Sequence, residues 1–407
     1  MHFRQDFCLR AKPAKPCYSS LSAMSRVSLT FLWETPARAI PVFSVFIPFF
    51  GCPRRCVFCS QHDQTGQQAS PLDEILAHAA ADLHARRAQG RPPVELAFYG
   101  GTFTALAPRD LDACLDMADS LRRDGCITRF RCSTRPDRLD AALLARLRRH
   151  GCRTVELGIQ SFSDTALQAS ERHYSGRQAT EACRLVRDAG LALGVQLLPG
   201  MPGHQPEDFL ADVRRALDLG ADMLRFYPCL VLAGTELARR WQQSLYAPWP
   251  LPRTLSLLAR GWLYARRAGV PVIRMGLAPE PGMEAALLAG PADRNLGGRV
   301  LGRALWLHVC ACLLRARGDD AARSEVRAAA LLDALLAGGK APAGLPRAQA
   351  LYLPRSCQGF FRGPGDELGT AWAALGITRR NLYYYFDYLK DCGFRIIKKG
   401  TYYQLDR

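Results

Sequence analysis

Val42-Phe-Ser-Val-Phe-Ile-Pro-Phe-Phe-Gly51-Cys52-Pro-Arg-Arg-Cys56-Val-Phe-Cys59 is the stretch on which the reading of this chain turns. Residues 42–50 are apolar apart from Ser44, and they contain Pro48. They make about half of the roughly 18 residues that a membrane-spanning helix needs, so they read as a short buried strand. The following loop carries three cysteines in a C-x3-C-x2-C array.

Five further apolar, β-rich runs follow at 94–99, 128–133, 154–159, 191–198 and 223–228. Between them lie Ala/Leu/Arg segments with a 3.6-residue pattern, among them 72–89, 110–124 and 138–150. Strands separated by helices of 10–20 residues mean βαβ units and a parallel sheet. The expected fold class is therefore α/β: a partial (β/α)6 TIM-type barrel of parallel strands. A mostly helical C-terminal extension follows, with helical stretches at 301–317 and 321–336, ending in a winged-helix-like unit of a helix over 379–391 and a basic hairpin around Lys399-Gly400. In such barrels chemistry sits on the loops after the strands. The distinctive residues fall there: 51–60 after the first strand, Gly100, Gly101 and Thr102 after the second, Gln160 and Ser161 after the fourth, and 199–203 after the fifth.

Thiolates in this density are metal ligands. Zinc structural sites take four nitrogen or sulfur ligands, whereas three thiolates within eight residues suit a [4Fe-4S] cluster with one iron left open. A zinc site completed by His62 is the alternative on residues alone.

The stretch 47–61 resembles the opening of a radical S-adenosylmethionine (SAM) enzyme, and the resemblance extends over 42–277. It includes Tyr99-Gly100-Gly101-Thr102-Phe103, Ser133-Thr134-Arg135-Pro136-Asp137, Glu156-Leu-Gly158-Ile-Gln160-Ser161-Phe162, Pro199-Gly200-Met-Pro-Gly203 and Leu230-Val-Leu-Ala-Gly234-Thr235. Together these are most similar to the radical SAM half of the catalytic subunit of elongator, and to its short bacterial relatives without an acetyltransferase domain. The resemblance implies that Cys52, Cys56 and Cys59 hold the cluster and that SAM chelates its fourth iron. It implies that Phe58 lies near the adenine, that Gly100, Gly101 and Thr102 take the methionine amino group, and that Gln160, Ser161 and Arg172 contact SAM. Residues 199–203 would border the adenine pocket. The implied activity is reductive cleavage of SAM to a 5′-deoxyadenosyl radical, acting in tRNA modification, with an external one-electron donor such as flavodoxin or ferredoxin. The alternatives are a radical SAM enzyme acting on a small molecule such as a porphyrinogen, or a non-catalytic iron–sulfur module. Oxygen-independent coproporphyrinogen oxidases carry a Tyr-x-His-x-Pro-Phe lead into the first cysteine; this chain has Val45-Phe-Ile-Pro-Phe-Phe-Gly51 instead.

The pattern departs from elongator in three places. Its first two cluster cysteines are spaced more widely, its strand-three carboxylate is Ser133 here, and its acetyltransferase half has no visible counterpart. Arg299-Val-Leu-Gly302-Arg-Ala304 fits the R-x-x-G-x-A pattern of acetyl-CoA enzymes. On the order of one such match is expected by chance in a chain this rich in Arg, Gly and Ala. No strand precedes it, and acetyl-CoA chemistry is not expected.

Domain limits read as a tail and lead-in at 1–41 (with Met24 as an alternative start), the radical SAM core at 42–277, and a substrate- or RNA-binding extension at 278–407. The whole chain has 407 residues, 48% of them hydrophobic, and a formal net charge of +17. That hydrophobic share excludes collagen-like and wholly disordered classes. A basic surface favours anionic partners such as tRNA or other RNA. Most of the charge is an arginine background, since only 6 of the 54 basic residues are Lys. Two segments concentrate it: 121–153, with ten Arg, and 376–407, where Tyr383, Tyr384, Phe386, Tyr388, Tyr402 and Tyr403 are interleaved with basic residues. Of these aromatics Tyr384 and Phe386 read as core. Fifteen cysteines without an export signal read as a reducing, cytoplasmic setting with no membrane partner.

Overall fold

Alternation along the strands decides which face of the sheet is apolar. In 127–134 the apolar Phe130 and Cys132 are fully buried, while Arg129, Arg131 and Ser133 occupy the opposite parity. The same split recurs in 152–160, where Val155, Leu157 and Ile159 alternate with Glu156 and Gly158. Since successive side chains leave a strand on opposite faces, one face of the sheet is apolar and the other polar.

In this computed structural model the described residues are 27–30, 40–60, 70–277, 281–385, 395–399 and 402–406. The tail at 1–25, His62, Phe386 and Tyr388 lie outside them. The chain divides into two compact units. The first spans 38–257 and 264–294. Its seven-stranded parallel sheet runs in chain order: Val42–Phe46 (β1), Val94–Tyr99 (β2), Ile127–Thr134 (β3), Cys152–Gln160 (β4), Ala192–Leu197 (β5), Met223–Phe226 (β6) and Val272–Met275 (β7). Six of these strands fall on the six expected runs, and a partial barrel is what they form. The seventh is an addition. It has four residues and its Ile273 is exposed, so it lacks the long apolar signal of the others.

Helices Leu72–Ala88 (α1), Pro108–Arg123 (α2), Ala141–Arg149 (α3), Asp164–Ala169 (α4), Gly176–Asp188 (α5) and Pro206–Asp218 (α6) lie between the strands. Their ends are written locally. Asp140 accepts the Leu143 N–H at 2.8 Å, and Ser175 with Gln178 closes a capping box at the start of α5. In α2 the buried Leu111, Cys114, Leu115, Ala118 and Leu121 fall at helical spacing. The core of this unit contains Phe98, Phe103 and Phe130, whose rings approach within 4.8–6.4 Å.

The second unit contains the described parts of 1–37, 258–263 and 295–407. Helices Leu296–Arg315 and Ala321–Leu336 pack together, as the sequence indicates. Leu296–Arg315 has the length and mean hydropathy (1.2) of a membrane span, which the run-length reading did not expect, but 67% of its apolar window is buried inside the protein. Arg299 and Gly302 of the R-x-x-G-x-A match lie in this helix, and the guanidinium of Arg299 binds Glu367. Strands Val27–Thr30, Ala348–Pro354 and Leu382–Tyr385 form a parallel three-stranded sheet. The helix expected over 379–391 is therefore absent at 382–385: its Tyr-rich run has strong β-propensity and pairs with Leu351–Pro354. The basic hairpin is present, Arg395–Lys399 against Tyr402–Asp406. Tyr384 is 37% exposed, which corrects its reading as core.

Candidate functional site

After β1 the chain must turn within a few residues, and it does so through left-handed backbone at Phe49 (φ 59°) and Gly51 (φ 70°). The Cys52 N–H bonds to the Phe49 carbonyl at 3.0 Å, and the Cys59 N–H to the Cys56 carbonyl at 3.0 Å. Val57, 1% exposed, anchors the loop from below. The end of β2 secures it from the side: the Thr102 N–H donates to the Phe50 carbonyl at 2.8 Å. Gly101, at φ 53°, lies directly under this bond. A Cβ there would fall 2.2 Å from the Phe50 oxygen and 2.9 Å from the Ile47 oxygen. Gly101→Ala is accordingly expected to cost roughly 1–3 kcal/mol and to loosen the cysteine loop, as a thermal melt of the variant would show.

Cys52, Cys56 and Cys59 are half-buried and line one cavity of about 520 Å³. Phe58, Gly100, Gly101, Thr102, Gln160 and Arg172 line the same cavity. Ser161 does not. It is fully buried, its hydroxyl accepting the Ser163 N–H at 3.0 Å and lying 3.5 Å from His204. Nor do residues 199–203 line the cavity; of that turn only the preceding Leu198 does. The turn is held instead by a buried clamp. His204 accepts the Gly200 N–H at 3.2 Å and pairs with Asp212 at 3.1 Å, and Asp212 also accepts the Phe162 N–H at 2.8 Å.

Arg172 is 4% exposed and its guanidinium is fully engaged. Nη1 donates to Cys56 Sγ at 2.9 Å, Nε to the Tyr174 hydroxyl at 2.9 Å and Nη2 to the Gly158 carbonyl at 2.5 Å. It therefore faces a cysteine sulfur. Burial alone would lower its pKa, but Cys56 and Tyr174 outweigh that and raise it. Arg135 adds a second guanidinium, with Nη1 3.6 Å from Cys56 Sγ, and is fixed by two bonds to Asp137. Burial pushes the Cys52 thiol up, while the Thr102 hydroxyl at 3.3 Å pulls the other way.

Gln160 closes β4 with φ 66°, a strained conformation for a residue bearing a side chain. Its amide oxygen is buried without a hydrogen-bond partner among the described residues. A strained residue with an orphaned acceptor in a cavity is what a ligand donor would complete. Among the described residues no three His, Cys, Asp or Glu side chains gather around one metal position. A four-iron cluster asks each cysteine to bind a different iron, so the donor set of three thiols on one loop fits it.

Sequence reasoning missed a polar network that meets the cavity through Tyr99, Ser133, Gln196 and Arg225. Glu156, 1% exposed, accepts from Tyr99 Oη at 2.9 Å, Arg131 Nη1 at 3.2 Å, Gln196 Nε2 at 3.2 Å and Arg225 Nε at 2.6 Å. Ser133, standing where elongator has a carboxylate, accepts from Gln196 at 3.2 Å. Gly194 makes room for this network, since a Cβ there would sit 2.8 Å from Glu156 Cγ. Six of the ten arginines in the 121–153 stretch are held by carboxylates. Arg129 and Arg131 bind Glu95, Arg135 and Arg138 bind Asp137, Arg122 binds Asp119 and Arg146 binds Asp112.

Residues 46–216 match the model of the radical SAM superfamily, and residues 221–303 match that of the radical SAM C-terminal domain. The chain is 30% identical over 269 residues to the tRNA uridine(34) acetyltransferase of Dehalococcoides mccartyi, covering 58% of this chain and 57% of that one. It is 26% identical over 207 residues to the heme chaperone HemW of Escherichia coli, covering 49% and 54% respectively. The solved structure of the archaeal Methanocaldococcus infernus Elp3 with an N-terminal deletion is 22% identical, with a TM-score of 0.49, covering 64% of this chain and 61% of that one. The chain spans about half the length of the curated relatives it matches.

Proposed function

Because the chain belongs to the radical SAM superfamily, we propose that it is a radical SAM enzyme that modifies tRNA, with Cys52, Cys56 and Cys59 as the cluster ligands. The observation that carries this reading is the single cavity shared by the three thiols, the Gly100–Thr102 backbone and the orphaned Gln160 amide oxygen. When bound, the cluster and SAM supply a one-electron cleavage that yields a hydrogen-abstracting radical. The protein does the rest. Arg172 and Arg135 fix the Cys56 sulfur in place from two sides. Gly100 and Gly101 leave the backbone open to the methionine end of SAM, and Gln160 offers its oxygen to a donor on that ligand. Phe46, Phe49 and Phe58 give the cavity apolar walls that limit water around a reactive species. The RNA substrate is supported by the similarity to the tRNA uridine(34) acetyltransferase and by the basic charge of the chain. Electrons would come from a small donor protein of the flavodoxin or ferredoxin class, and the enzyme would act in the cytoplasm.

The test is anaerobic reconstitution followed by measurement of 5′-deoxyadenosine with dithionite, with and without unfractionated tRNA. Deoxyadenosine is expected, and tRNA should raise its yield. No deoxyadenosine would remove the enzymatic reading. A yield indifferent to tRNA, with tight heme binding by the same protein, would favour a HemW-like role.

A further inference from the structure

The cavity has one sign of charge. Among the described residues six arginines line it, Arg54, Arg55, Arg135, Arg172, Arg225 and Arg274, and no Asp, Glu, Lys or His does. Three of the six are neutralised or engaged from behind: Arg135 by Asp137, Arg225 by Glu156, and Arg172 by Cys56 and its oxygen partners. The other three are exposed. Arg54 and Arg55 stand on the cysteine loop, Arg55 lying 4.5 Å over the Phe49 ring, and Arg274 stands on β7 with Nε 3.3 Å from the Gly276 carbonyl. None of them pairs with a carboxylate among the described residues, although carboxylates hold many arginines elsewhere in this unit.

Charge and exposure are thus separated. The less exposed lining offers neutral hydrogen-bonding groups on Tyr99, Ser133, Gln196 and Tyr227, while Arg54, Arg55 and Arg274 are exposed. A small polyacid that enters whole would need its cations inside. A nucleotide within a polymer needs the reverse arrangement: a neutral base that can be hydrogen-bonded and stacked within, and a charged backbone left outside. Phosphate contacts position such a substrate while base contacts specify it.

We propose that Arg54, Arg55 and Arg274 form a phosphate rim that holds the backbone on either side of one extruded nucleotide, whose base enters the cavity. This inference rests on the RNA-modifying reading above. It gives that reading a mode of entry and names the residues that position the substrate.

Filter binding of unfractionated tRNA to the reconstituted full chain, repeated over a range of salt concentrations, tests it. Two variants are compared with the parent: Arg274→Gln alone, remote in sequence from the cysteines, and Arg54→Gln/Arg55→Gln/Arg274→Gln. The iron–sulfur absorbance of each is recorded alongside. Each lost phosphate contact should make the slope of log K against log salt shallower by about 0.7 to 1. The triple variant should therefore lose about two units of slope and at least about tenfold in affinity. Unchanged slope and affinity in Arg274→Gln would overturn the rim while leaving an RNA substrate in place. Failure of the parent protein to bind tRNA at any salt would overturn the rim and the RNA reading together.

Discussion

Glu156→Ala should destabilise the protein by about 3–5 kcal/mol, the usual result of removing one partner from a buried ion pair. The carboxylate is 1% exposed and accepts from two arginines, a tyrosine and a glutamine. Without it the Arg225 side chain, 13% exposed, loses its only carboxylate among the described residues. Arg131 would keep Glu95 alone. Urea denaturation of parent and variant measures the difference. Glu156→Gln keeps the shape and one acceptor and should lose less; an equal loss would mean that the charge alone carries the stabilisation and the retained acceptor contributes nothing. Acid titration gives a second signature. Burial pushes the Glu156 carboxyl up, but Arg225, Tyr99 and Arg131 outweigh it and hold the group below its ordinary value of 4.5. A folded-state pKa below the unfolded one stabilises above the unfolded value, and the benefit is lost as pH falls through the folded one. The parent should therefore lose this contribution progressively below about pH 4.5, and the variant should lack that part of the acid dependence.

Cys56→Ala should abolish the cluster. Reconstituted parent protein should show brown iron–sulfur absorbance and bound iron and sulfide; the variant should show neither while retaining its helical circular dichroism. The choice of Cys56 follows from its surroundings, since its sulfur is met by two guanidiniums, Arg172 at 2.9 Å and Arg135 at 3.6 Å. Removing it also takes one acceptor from the buried Arg172, so the variant should be less stable as well as colourless. A variant that kept full absorbance would refute the ligand assignment. A colourless variant of unchanged stability would leave the ligand in place and remove the structural role given to the two arginines.

How far the sequence could be read depended on what kind of signal each feature left. The six long strands were legible because apolar runs alternate with helical segments at βαβ spacing. Val272–Met275 was not, because four half-exposed residues carry too little pattern. The helix expected across 379–391 failed at Leu382–Tyr385 for a different reason: aromatic β-propensity and a partner strand outweighed the local helical reading. The three cysteines, Gly100–Thr102 and Gln160 were legible from spacing and position at strand ends, and Arg172 through the family resemblance; all line the cavity. Ser161 shared that position, but its side chain turns to His204, a contact 43 residues away in sequence that no local motif announces. Arg135 and the Glu156–Arg225 network were missed although their trace is present. The polar residues of Thr128-Arg-Phe-Arg-Cys-Ser133 recur at every second position, which marks a strand with one polar face rather than a continuously apolar one.

That polar face has a consequence for the barrel as a vessel. Closed parallel barrels fill their interior with layers of Val, Ile and Leu, and the packing of those layers draws the wall together. Here the corresponding parity carries Glu95, Arg131, Glu156, Gln196 and Arg225, which are matched to one another and have no reason to shed water onto an opposing wall. The sheet takes its cohesion from its apolar face. Its hollow is thereby released from the task of holding the protein together, and is free to be shaped by whatever it has to admit.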